Sequence, residues 1–141
     1  MVAFMALAAA CGGSDAATSS SEPDRPTSAP APTSAVAPPA ASPVEPRGGT
    51  TTPQPVRWTS AVPVGDGRTL RVTWTSGVEP CYTLDRVNVV EDDRTVEVTV
   101  WEGQDSRVQN VACIDIAVAK TTTIRLDAPL GNRTVIDGTG E

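Results

Sequence analysis

The chain has 141 residues, a net charge of −6 and no histidine. That length suits one domain. The acidic balance leaves no basic stripe for a phosphate backbone, so nucleic acid is excluded as a partner. Without histidine, the commonest general base and metal ligand is missing, and so are Ser/His/Asp and Cys/His nucleophile systems.

Taken in chain order, the first feature is "MVAFMALAAACGGSDAA". Val2 to Ala10 form an apolar run of the length found in the core of a signal peptide, too short to span a bilayer. No Lys or Arg precedes Arg25. The expected reading is that translation starts upstream of Met1 and that the charged leader is not part of this sequence.

From Gly12 to Pro55 the chain is almost wholly Ala, Pro, Ser, Thr and Gly, with no aromatic residue. Such a composition buries too little apolar surface to offset the entropy of ordering. Runs such as "SAPAPTSAVAPPAASP" favour extended polyproline-II-like chain. Residues 12–55 are therefore expected to form a disordered tether, 1–11 a signal remnant, and 56–141 the folded domain.

Beyond Val56 the pattern becomes one of strict alternation. "TLRVTWT" puts Leu70, Val72 and Trp74 on one face, "RTVEVTVW" does the same with Val96, Val98 and Val100, and "TTTIRLD" with Ile124 and Leu126. Period two over these lengths, with Val, Ile and Thr enriched, signals half-buried strands. Turn chemistry separates them at "VGDGR", "EDDR" and "APLGN". Between Cys81 and Val90 the apolar parity switches, from Tyr82 and Leu84 to Val87 and Val89, which a bulge near Asp85 would reconcile. "VACIDIAVAK" is ambiguous between a strand and a short helical turn. The expected fold is all-β: a small antiparallel immunoglobulin-like sandwich.

The chain has three cysteines. Cys81 and Cys113 both fall in the folded half and are expected to pair as a disulfide, the alternative being two free buried thiols. Neither a zinc site nor a CxxC redox motif fits their spacing, and no cofactor is expected. Cys11 is left over. "LAAAC" followed by "GGS" resembles the lipobox of bacterial lipoproteins, although Ala8 stands where that family prefers Leu and Leu7 lies one step back. The resemblance implies cleavage before Cys11 and acyl chains on it, and two chains suffice for stable anchoring. The alternatives are an ordinary cleaved signal or an uncleaved N-terminus. The series "CYTLDRVNVVE", "TVEVTVWEG", "ACIDIA" and "TTTIRLDAPLGNRTVIDG" resembles small secreted or lipid-anchored actinobacterial proteins. That resemblance implies location and a β fold, and it carries over no catalytic residue.

Little points to catalysis. Lys120 is the single lysine and has no S-x-x-K partner. Glu79, Asp85, Glu97, Glu102 and Asp115 could supply paired carboxylates, but no spacing selects two of them. Glu91, Asp92 and Asp93 are consecutive and followed by Arg94, as in a charged hairpin tip rather than a calcium loop. Arg71, Arg86, Arg125 and Arg133 are expected on strand faces, paired with acids. Trp58 and Trp74 align with apolar neighbours and are expected in the core. Trp101 has the opposite parity to Val100. Exposed, it would anchor a sugar or a protein; the favoured reading is a bulge or a rim position under "EGQDSRVQN".

The functional expectation is a lipid-anchored extracytoplasmic β-domain, a binding or accessory module of the bacterial envelope. Its partners would be the membrane through Cys11 and an unidentified protein or cell-wall glycan. The alternatives are a passive spacer and a non-lipidated secreted protein, with an enzyme a distant third.

Overall fold

The computed structural model describes residues 40–140. Cys11, the lipobox and the tether up to residue 39 lie outside the described residues. Within them the strands are β1 (Ser42–Pro43), β2 (Thr50–Val56), β3 (Trp58–Val64), β4 (Thr69–Ser76), β5 (Thr83–Glu91), β6 (Thr95–Asp105), β7 (Val118–Arg125) and β8 (Thr134–Asp137). One sheet has the order β1-β7-β4-β3; the other has β2-β6-β5, with β8 also on β6. The protein is thus an all-β sandwich. Two parallel pairings, β1 with β7 and β8 with β6, supplement the antiparallel ladders. Pairing of β5 along one edge of β6 leaves the other edge to be shared by β2 and β8.

The alternating side chains form the core. Leu70, Val72 and Trp74 of β4 meet Val96, Val98 and Val100 of β6 across the gap, with Leu84 and Leu126 closing it. All eight are buried, and each contributes roughly 1.5–3 kcal/mol of apolar transfer free energy, with Trp74 the largest of them. Trp58 packs on this cluster as expected, and its indole Nε1–H donates to the Val98 carbonyl of the facing sheet at 3.0 Å.

The expected turns are in place. In "VGDGR", Gly65 (φ 62°) and Gly67 (φ 75°) take the left-handed conformation that glycine adopts without steric cost. At the β5–β6 hairpin the Asp92 carboxylate accepts from the Arg94 and Thr95 N–H groups, each at 2.7 Å. Its oxygens are thus engaged in holding the turn. Arg133 closes the "APLGN" loop by donating to the Ala128 and Pro129 carbonyls, and it pairs with Glu91 at 2.7 Å. Arg86 pairs with the adjacent Asp85.

The folded part starts earlier than the composition implies. Residues assigned to the tether supply β1 and β2. Both are edge strands, and β2 carries Pro53 and Pro55 in "TTTPQPV". Proline is tolerated at an edge, where its missing N–H faces away from the ladder, or at a bulge. A register shift between Thr51 and Gln54 loops Thr52 (φ 45°) and Pro53 out of the pairing with β6.

The bulge expected near Asp85 is present as a register shift between Leu84 and Arg86 against β6. It gives Asp85 a specific task. Its carboxylate accepts from the Thr50 N–H (3.1 Å) and the Thr50 hydroxyl (2.8 Å), tying β2 to β5 across β6. The intervening residue is Gly103, where a Cβ would stand 2.6 Å from the Thr50 hydroxyl oxygen. The glycine therefore leaves room for the reach. Hydrogen bonds from Thr50, and then the Arg86 guanidinium, hold the Asp85 carboxyl below the usual carboxylate range. A lowered folded-state pKa means that this stabilisation is present at neutral pH and is lost as pH falls below about 4. Asp85→Ala is expected to cost about 1.5–3 kcal/mol at pH 7 in urea unfolding, and less at acid pH. An undiminished cost at low pH would contradict this assignment.

Candidate functional site

Three strands carry a polar residue at the next inward position beyond their apolar run, all at the same end of the sandwich. On β4 the sequence Leu70, Val72, Trp74 is followed two residues on by Ser76. On β6, Val96, Val98 and Val100 lead to Glu102. On β7, Lys120 precedes Thr122 and Ile124. Period-two geometry leaves these side chains no direction but inward.

They meet across the gap between the sheets. Lys120 Nζ lies 2.9 Å from Glu102 Oε1, and the Ser76 hydroxyl donates to Glu102 Oε2 at 2.6 Å. Lys120 Nζ also donates to the Tyr82 carbonyl. Lys120 and Glu102 are 3% and 4% exposed. Removing two such charges from water costs several kcal/mol per ion, so the pair persists only where partners satisfy both groups. Here each carboxylate oxygen has its own donor.

This geometry separates Ser76 from Lys120. Glu102 stands between them and takes a hydrogen bond from each, so the amine does not face the hydroxyl as a serine–lysine nucleophile pair requires. The arrangement works as a polar clasp that links β6 of one sheet to β4 and β7 of the other through their side chains.

Beside the clasp lies a cleft of about 240 Å³ lined by Val56, Ser76, Tyr82, Glu102, Asp115 and Ile116, among others. It brings together two of the five carboxylates considered as acid–base candidates, Glu102 and Asp115. The others are dispersed: Glu79 is paired with Arg47 at 3.4 Å, Asp85 sits at the bulge, and Glu97 lies on the outer face of β6.

The disulfide is formed. Cys81 and Cys113 are 32 residues apart in sequence, with Cα atoms 5.9 Å apart. Cys81 lies two residues before the start of β5. Cys113 lies in the connection from β6 to β7, so the ambiguous "VACIDIAVAK" is neither helix nor, before Val118, a laddered strand. Instead 111–117 runs without regular structure, with Ile114 and Ile116 more than half exposed. Asp105 anchors the near end of the connection. Its carboxylate binds Arg107 through Nε (2.7 Å) and Nη2 (2.9 Å), which hold the acid below its ordinary range.

Trp101 is on the outer face, as parity dictates, because the extra residue at the adjacent register shift belongs to β5 and β6 alternates through Val100, Trp101 and Glu102. The strand does not bulge there; the register shift is on β5. The indole is half-buried, with the Arg86 guanidinium 4.4 Å from its ring centroid. Its Nε1 is buried with no acceptor among the described residues. Arg86 thus covers the face that an exposed tryptophan would offer.

The sequence reading missed the clasp. The signal was present, since extending each alternating run by one inward step lands on Ser76, Glu102 and Lys120. The chain matches no family model, no curated protein and no solved structure.

Proposed function

We propose that this chain is a lipid-anchored binding or accessory module of a bacterial cell envelope, displayed outside the cytoplasmic membrane by acyl chains on Cys11. The observation that carries the reading is the Cys81–Cys113 disulfide and what it holds. Disulfides persist in oxidising compartments and are rare in a reducing cytosol. This one pins a segment that contributes no ladder and exposes Ile114 and Ile116, a surface suited to contact rather than to core packing. The LAAAC motif supports the anchor: two acyl chains, at about 0.8 kcal/mol per buried methylene, give stable membrane residence. The partner is a protein or a cell-wall glycan, and the polar clasp is structural rather than catalytic.

Cys11→Ser is expected to move the protein from the membrane fraction to the soluble extracytoplasmic fraction. Unchanged retention in the membrane fraction would overturn the anchor.

A further inference from the structure

The segment from Asn110 to Ala117 has the composition of a strand but lacks a strand's partner. "NVACIDIA" alternates, with Ala112, Ile114 and Ile116 on one parity and Val111, Cys113 and Asp115 on the other. Every residue from Ala112 to Ala117 is exposed. Among the described residues, no backbone N–H or C=O of 110–117 has a hydrogen-bond partner. An extended, unpaired, apolar strip is a template for another strand, and folded proteins usually cover or blunt such an edge. Here it is held in place: the disulfide fixes Cys113 in its middle, and β7 starts at its end. Asn110 takes a left-handed φ of 57°, but 111–117 contains no helix, turn or bend, and a segment held in this way loses less entropy on pairing.

We propose that 110–117 is a docking edge for an extended polypeptide segment of alternating apolar and basic residues, which binds by adding a strand. The claim rests on the reading of the chain as a binding module and names the kind of partner. Backbone hydrogen bonds would supply affinity, and side chains at alternate positions would supply selectivity. Charge selects the occupant. Asp115 stands on the opposite parity to Ile114 and Ile116, and it lines the adjoining cleft with the exposed Tyr82 ring, beside a Glu102 carboxylate already engaged by Lys120 and Ser76. A cation reaching this cleft meets a carboxylate and an aromatic face together. A second copy fits poorly. Antiparallel self-pairing about Asp115, the register that sets Ile114 opposite Ile116, would set Asp115 opposite Asp115, and like charges directly opposite destabilise a ladder. Each copy would also bring a net charge of −6.

The test is residue-resolved amide exchange on the oxidised full chain, with a capped seven-residue peptide of alternating valine and arginine as probe. The peptide is expected to slow exchange at 110–117 by about tenfold or more at millimolar concentration. The same peptide with methylated backbone nitrogens is expected to give no protection. Asp115→Lys, an exposed position whose substitution leaves the core intact, is expected to abolish protection by this peptide and confer it on a valine–glutamate peptide. Protection of the strip before peptide is added would overturn the proposal. Dependence on protein concentration would then identify a second copy as the occupant, and independence would identify the chain's own remaining residues. Equal protection by the methylated peptide, or none by the parent, would also overturn it. The Cys11→Ser fractionation reports only on location, so failure of the docking edge and failure of the anchor are distinguishable.

Discussion

Glu102→Ala is expected to destabilise the domain by about 3–5 kcal/mol. The substitution leaves the Lys120 ammonium 3% exposed, without its carboxylate and held by the Tyr82 carbonyl. It also strips the Ser76 hydroxyl of its acceptor. Lys120→Met produces the mirror defect, a buried carboxylate left with one neutral donor, and a loss of similar size is expected. The informative comparison is the apolar replacement of the whole clasp, Ser76→Ala with Glu102→Leu and Lys120→Met. Buried ion pairs exchanged for well-packed apolar groups of similar volume are often neutral or stabilising. The triple variant is therefore expected to recover to within about 1 kcal/mol of the parent, or to exceed it. Urea unfolding midpoints decide the matter. If Glu102→Ala costs under about 1 kcal/mol, the pair behaves as a solvated surface bridge and the clasp assignment is wrong.

Loss of the disulfide is the second large effect. The bond joins residues 32 apart. On the loop-entropy account, opening it costs about 3–4 kcal/mol, through the freedom the reduced unfolded chain regains. Against the 5–15 kcal/mol typical of whole domains, that is a large fraction for a sandwich with eight buried apolar side chains. Cys81→Ser with Cys113→Ser is expected to lower the urea midpoint accordingly, as is reduction of the parent. The double variant should no longer respond to reductant. The two predictions concern neighbouring parts of the molecule, because the Tyr82 carbonyl that receives Lys120 directly follows Cys81. Combining Glu102→Ala with loss of the disulfide is accordingly expected to depart from additivity.

Much of this architecture can be read from the residues. The runs around Leu70, Val96 and Ile124 announce β4, β6 and β7 because each has a wet and a dry face. The bulge shows as a change of parity between Leu84 and Val87, and the disulfide as the only pair of cysteines in the folded half. Composition failed at the N-terminal boundary. β1 and β2 look like tether because edge strands need fewer N–H groups and accept Pro43, Pro53 and Pro55. What holds them is long-range: the Val44 N–H donates to the Thr121 carbonyl at 2.8 Å, and Thr50 reaches Asp85. Neither contact leaves a local mark. The clasp was missed for a different reason. Ser76, Glu102 and Lys120 are polar, so they look like the ends of their alternating runs, although each continues the same face. Only the meeting of the three across the gap shows why polar side chains are tolerated there. For 111–117 the ambiguity of the sequence matches the structure: the residues suit a strand, and no described neighbour pairs with them.

The stapled and clasped sandwich leaves one strand-like strip without a described partner. The most direct measurement is amide exchange along the oxidised full chain without added peptide. The expected result is near-global protection in β4, β6 and β7, where ladders and core coincide, interrupted by free exchange from Asn110 to Ala117. Protection across 110–117 as strong as that of Val118–Arg125 would show that the strip is already covered, and would contradict the account.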